Sequence, residues 1–161
     1  MILQLPGFPD GGFMPRRYTC QGEEVSPEIE WLELPGRTES LVLFMYDVSI
    51  PMDFLRLTTI DHWVVYNIPP DINGLREGIQ EEEILENGAV QGIRWSGKRS
   101  YMGPCPLSGT HQYVFELYAV NRMLDIEPGE ATRKKIKEYM QDLVIEKSVY
   151  LGKYTKFRFS R

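Results

Sequence analysis

Apolar and polar positions alternate with a period of two along much of this chain. That period marks β-strand, because successive side chains leave a strand on opposite faces. Ile29 to Leu34, IEWLEL, alternates apolar and acidic residues and predicts a half-exposed strand. Ser40 to Asp47, SLVLFMYD, is nearly continuous apolar sequence and predicts a strand covered on both faces. His62 to Ile68, HWVVYNI, and His111 to Val120, HQYVFELYAV, predict two further core strands. Ala89 to Trp95 is a weaker run, and Ser148 to Phe159 predicts a late strand from its Val149/Leu151 and Phe157/Phe159 alternation. Proline and glycine punctuate the chain at short intervals, which favours strands over long helices. The helical period stands out in one place. After PGEAT, the run RKKIKEYMQDLVIEK aligns Ile136, Tyr139, Met140, Leu143 and Val144 in a stripe that reads as packing surface. Strands in direct succession predict a mainly β, antiparallel β-sandwich, a single domain over 1–161, with one helix near the C-terminus.

Composition and charge narrow the function classes. The chain has 161 residues, 42% hydrophobic and 25% charged, enough to bury a core without a metal or disulfide staple. A net charge of −5 argues against a nucleic-acid binder, which carries a basic patch. The basic residues from Arg133 to Arg161 read as a solvated helix face and a terminal strand. The start, MILQLPGFPDGG, lacks a basic n-region and meets proline too early for a signal peptide. No run of about 18 apolar residues exists to span a membrane. A cytoplasmic location is therefore expected. Cys20 and Cys105 form no CxxC pattern and are expected as free thiols, with a disulfide the alternative if the source is a hyperthermophile.

The candidate chemistry gathers at strand ends. In HQYVFELYAV, alternation puts His111, Tyr113, Phe115 and Leu117 on one face. In HWVVYNI it puts His62, Val64 and Tyr66 on one face. The chain has only two histidines, and each opens an apolar strand just past a polar turn; Asp47 closes another strand. Two imidazoles, a carboxylate and a phenol could ligate a metal, run acid–base chemistry or bind an anion. No ligand spacing supports a metal. The nucleophile motif GxSxG is absent, and neither Ser49 nor Ser108 has motif support. Histidine donors, a tyrosine hydroxyl and turn N–H groups suit an anion. The alternative is a pair of hydrogen-bonded structural histidines.

At these residues the sequence resembles the phosphatidylethanolamine-binding protein family. YDVSIP, Tyr46 to Pro51, stands where that family has D-x-D-A-P. HWVVYNIP and GPCPLSGTHQYVFELYAV match its two histidine blocks, and QGEEVSPEIEW matches an early segment. The resemblance covers nearly the whole chain. It implies a large antiparallel sheet packed on a smaller one with peripheral helices. It also implies a small pocket for phosphate, phosphorylated headgroups or acetate-like ions. Carried over, the ligand-binding set is Asp47, Pro51, His62, His111 and Tyr113, with Gly103, Pro104, Cys105 and Pro106 on the rim. Cys105 reads as loop packing, with a redox-sensitive rim thiol as the sharper alternative. Ser49, Ile50 and Gln112 depart from the family pattern and bear on ligand preference.

These readings make the protein a non-enzymatic binding module without metal or cofactor. It would take a small anion or phosphorylated group and regulate a protein kinase or serine protease through loops such as Pro9 to Arg17 and Asp71 to Asn87. The alternative is a hydrolase using His62, His111 and Asp47. Pairing with Asp47 would favour a protonated His62 or His111, so anion binding is expected to strengthen as pH falls towards about 6.

Overall fold

A computed structural model of the protein describes residues 1–49 and 59–157. In chain order its strands are β1 (Ile2–Gln4), β2 (Gly12–Phe13), β3 (Ile29–Leu32), β4 (Ser40–Asp47), β5 (Ile60–Ile68), β6 (Gly74–Leu75), β7 (Val90–Gln91), β8 (Thr110–Val120) and β9 (Val144–Thr155). Helix α1 is Arg133–Met140, and single 3₁₀ turns lie at Arg16–Tyr18 and Pro128–Glu130. A six-stranded sheet runs β2-β9-β8-β4-β5-β7 and a three-stranded one β1-β3-β6. Every pairing is antiparallel except β2 with β9. The two sheets and the helix near the C-terminus match the predicted architecture.

The large sheet is buried on both faces, which explains the unbroken apolar run of β4. One face carries Leu43, Met45, Trp63, Phe115 and Leu117 into a core shared with Leu3 and Trp31 of the small sheet. The other carries Val42, Phe44, Val64 and Tyr118 against Ile136 and Met140 of α1. The β8 alternation holds along its whole length: Tyr113, Phe115 and Leu117 face one core and Tyr118 the other.

The helical stripe was read too far. Helix α1 stops at Met140, and Val144 opens β9. Tyr139 is 41% exposed, and Leu143 reaches the core from the turn rather than from a helix. Segment 144–155 pairs with β8 from Val120 back to Thr110. That continuous ladder outweighs the local helical period, because every second residue exchanges a pair of hydrogen bonds with β8. The late strand also ends before the Phe157/Phe159 alternation. Phe157 is 68% exposed outside any strand, and Phe159 lies outside the described residues.

A buried carboxylate fastens α1 to the sheet. Glu116 of β8 accepts hydrogen bonds from Lys137 Nζ at 2.7 Å, Tyr118 Oη at 2.9 Å and Lys147 Nζ at 3.2 Å. Burial alone would raise the Glu116 pKa. The hydrogen bond and charge of Lys137, with Tyr118 and Lys147, outweigh burial and hold it below its ordinary value. A carboxyl whose folded pKa is depressed stabilises the fold above its unfolded pKa, and loses that contribution as pH falls through the folded value. Lys137→Met is therefore expected to cost about 1–3 kcal/mol at pH 7 and progressively less in acid. Urea unfolding of both proteins at pH 7 and at about pH 3 checks this; an equal deficit at both would sink it.

Candidate functional site

Strand ends from both halves of the large sheet meet at one cavity of about 650 Å³. Asp47 and Tyr113 are direct cross-strand partners on β4 and β8, and His111 lies two residues earlier on the same face. Asp47 is 3% exposed and His62 5%, while Tyr113 is fully buried. Asp47 Oδ2 lies 2.6 Å from His111 Nδ1. A carboxylate only accepts, so Nδ1 of His111 carries the proton and Nε2 is left for the cavity.

Ser49 has a definite task. Its N–H donates to Asp47 Oδ1 at 2.8 Å, and its hydroxyl accepts the Gln112 N–H at 2.8 Å. The turn after β4 is thereby latched to β8 beside His111, and both Asp47 oxygens are engaged.

His62 reaches the cavity through a break in the strand pattern. Met45 pairs with Trp63 and the adjacent Tyr46 with Asp61, so His62 is the extra residue of a β-bulge. The expectation that His62 shares a face with Val64 and Tyr66 is therefore corrected. Val64 and Tyr66 pack towards α1, whereas the His62 ring stands edge-on to Tyr113 with centroids 5.2 Å apart. His62 Nδ1 donates to the Met102 carbonyl at 2.8 Å, and the Met102 N–H donates to the His62 carbonyl at 2.9 Å. Burial pushes the His62 pKa down, against the upward pull of the Met102 carbonyl and Asp47. Of the two histidines, His111 is the one paired with Asp47, whereas burial disfavours the charged form of His62.

Tyr113 is the unusual member. Its hydroxyl is buried and meets no partner at full hydrogen-bond geometry among the described residues, although the Asp47 carboxylate and the Cys105 backbone lie near it. Burial, then the nearby Asp47 charge, pushes its pKa far up, so it stays a donor. Leaving such a group unpaired costs about 1–3 kcal/mol.

The rim runs from Gly103 to Pro106. Gly103, Cys105 and Pro106 line the cavity. Pro104 sits behind them, buried, with its carbonyl accepting the Cys20 N–H at 3.2 Å. A Cβ on Gly103 would lie 2.8 Å from the Tyr18 carbonyl oxygen and 2.9 Å from the Thr19 Cα, so the rim and the 18–24 segment touch only because this residue is glycine. Pro51 lies outside the described residues, as does Ile50.

The free-thiol expectation is overturned. Cys20 and Cys105 form a disulfide across 85 residues, with Cα atoms 5.5 Å apart. The spacing pattern could not show this, because the fold alone brings the two segments together. The bond joins two walls of the cavity, since both cysteines line it. It sits poorly with the expected cytoplasmic location, where mesophile thiols are kept reduced. No helix among the described residues is long and apolar enough to cross a membrane.

The sequence reading missed Glu24, Ile60, Trp95, Met102 and Leu107, which line the same cavity. Glu24 adopts φ 55° and its carboxylate accepts the Gly103 N–H at 3.1 Å. Trp95 is 55% exposed; a tryptophan inside the turn sequence RWSG was the available signal. Among the described residues no cluster of three His, Cys, Asp or Glu side chains suits a metal ion. Neither histidine is hydrogen-bonded to a serine among them.

The family model described as phosphatidylethanolamine-binding protein matches residues 4–155. A UPF0098 protein of Methanothermobacter thermautotrophicus is 42% identical over 156 residues, covering 97% of this chain and 99% of that one. A Chlamydia pneumoniae UPF0098 protein is 37% identical over 97% of this chain and 99% of its own. Among solved structures, a phosphatidylethanolamine-binding protein homolog from Chlamydia trachomatis superposes with a TM-score of 0.88 at 33% identity, covering 97% of both chains. YbcL of E. coli superposes with a TM-score of 0.85 at 22% identity, covering 96% of this chain and 98% of that one, a likeness of fold.

Proposed function

The chain belongs to the phosphatidylethanolamine-binding protein family, and we propose that it is a binding protein that holds a small anion or phosphorylated group against Tyr113, His111 and His62. The Tyr113 hydroxyl carries this reading. It is a buried donor at the cavity wall that meets no partner at full hydrogen-bond geometry among the described residues, and its neighbour Asp47 is already engaged by His111 and Ser49. A ligand oxygen completes it.

Asp47 poses the electrostatic problem, since it repels an anion. Its partner His111 resolves it. A proton on His111 Nε2 turns the pair into a neutral unit and makes Nε2 a donor aimed at the ligand. His111→Phe, which removes this donor, is expected to weaken phosphate binding about tenfold. Titration with inorganic phosphate, followed by NMR, tests this. Unchanged affinity would reject the His111 mechanism.

Binding without turnover is part of the proposal. The Ser49 hydroxyl is occupied by Gln112, and no serine is activated by either imidazole among the described residues. Hydrolysis of a phosphorylated or acyl substrate that disappears in His111→Ala would overturn this. Regulation of a protein kinase or serine protease rests on family membership; inhibition assays against both classes, with and without phosphate, test it.

A further inference from the structure

The hydrogen-bonding inventory of the cavity floor is unequal. The Tyr113 hydroxyl donates. His111 donates when protonated. His62 does neither: its Nδ1–H is committed to the Met102 carbonyl, so Nε2 presents a lone pair. Met102 and His62 exchange two hydrogen bonds, which fixes the ring and its tautomer. His62 is 5% exposed and lines the cavity.

The charged and titratable groups facing this imidazole come from every side. They are Asp47 on β4, Asp61 beside it on β5, Arg94 after β7, and His111 and Tyr113 on β8, with Glu24 in the opposite wall. The nearest carboxylate, Asp47, is already engaged by His111 and Ser49. Arg94 adds a positive charge that opposes a second one on the ring.

A fixed acceptor in an oxyanion site discriminates by the proton the ligand brings. An oxyanion with only acceptor oxygens sets lone pair against lone pair at His62 Nε2. An oxyanion bearing one O–H donates it there, while its other oxygens accept from Tyr113 and His111. We propose that His62 makes this cavity selective for oxyanions that carry their own proton, phosphomonoesters and hydrogen phosphate, over phosphodiesters and sulfate. This rests on the anion-binding reading above. It narrows the ligand class: a phosphomonoester carries an O–H until its second ionisation at about pH 6, so the singly ionised form is the one that fits. A phosphodiester or sulfate at that pH has none.

The test uses isothermal titration of the intact, oxidised protein at about pH 5.5 with four ligands. Inorganic phosphate represents the free ion and phosphorylethanolamine a monoester. Glycerophosphorylethanolamine represents a lipid headgroup diester, and sulfate the proton-free tetrahedral ion. The first two are expected to bind about ten- to a hundredfold more tightly than the last two, the effect of opposing one acceptor to another. Raising the pH to 8 removes the O–H of the monoester but not that of hydrogen phosphate, so the preference over sulfate is expected to shrink for phosphorylethanolamine and to persist for inorganic phosphate. His62→Gln, whose amide both donates and accepts, is expected to bind sulfate and the diester nearly as well as the monoester.

Sulfate or the diester binding the wild type as tightly as phosphate at the lower pH would overturn the selectivity and leave the binding function standing. If none of the four binds, the binding reading fails and the selectivity with it. The wild-type comparison decides even if the His62 variant does not fold.

Discussion

Serine replacement of both Cys20 and Cys105 is expected to lower stability by about 4.5 kcal/mol, the chain-entropy figure for a closed loop of this length. The bond closes 85 residues, so it removes a large share of the freedom of the unfolded chain. It also ties the rim to the 18–24 wall, where Gly103 touches Tyr18 and Thr19. Two consequences are therefore expected together: a lower urea midpoint, and weaker anion binding from a rim that has lost its covalent tie and keeps its hydrogen bonds to Cys20 and Glu24. Reduction of the wild type with a phosphine should reproduce both. A stability loss under about 1 kcal/mol would show that the remaining contacts already hold the loop.

Asp47→Asn is expected to raise affinity for phosphate and sulfate about tenfold at pH 8. The asparagine oxygen keeps the bond from the Ser49 N–H, and its amide nitrogen then faces His111 Nδ1. An amide N–H must donate, so the imidazole turns to the other tautomer and presents Nε2–H to the cavity without an added proton. The same change removes a negative charge beside the anion. Asp47→Ala also removes the charge, but leaves His111 unheld and the Ser49 N–H unpaired, so it separates orientation from repulsion. If both variants gained equally, repulsion alone would account for the effect. If Asp47→Asn lost affinity, His111 would not be the donor.

The site was legible where it depends on local periodicity. His111 and Tyr113 share a face because they are two residues apart on a regular strand, and that relation survives into the cavity. His62 obeyed the opposite logic. Its place on HWVVYNI predicted the face of Val64 and Tyr66, yet the bulge opposite Met45 and Tyr46 turned it towards Tyr113. The family resemblance grouped His62 with the others where strand alternation did not. Glu24 stands outside any strand, and the weak run from Ala89 to Trp95 forms strand only over Val90–Gln91, so alternation placed neither Glu24 nor Trp95 in the cavity.

By itself the sequence determined the layers of this protein. Continuous apolar strands must be covered on both faces and alternating ones on one, and this follows from side-chain direction and the hydrophobic effect at each residue. It also determined which end of β8 would carry a donor pair. The tertiary structure decided the rest: the bulge at His62, the end of α1 at Met140, the Cys20–Cys105 bond and the pairing of Asp47 with His111. Each of these depends on which distant segments lie side by side. The histidine that opens HQYVF was visible in the sequence from the start. Its partner Asp47 lies 64 residues away, and no local period could place the two side by side.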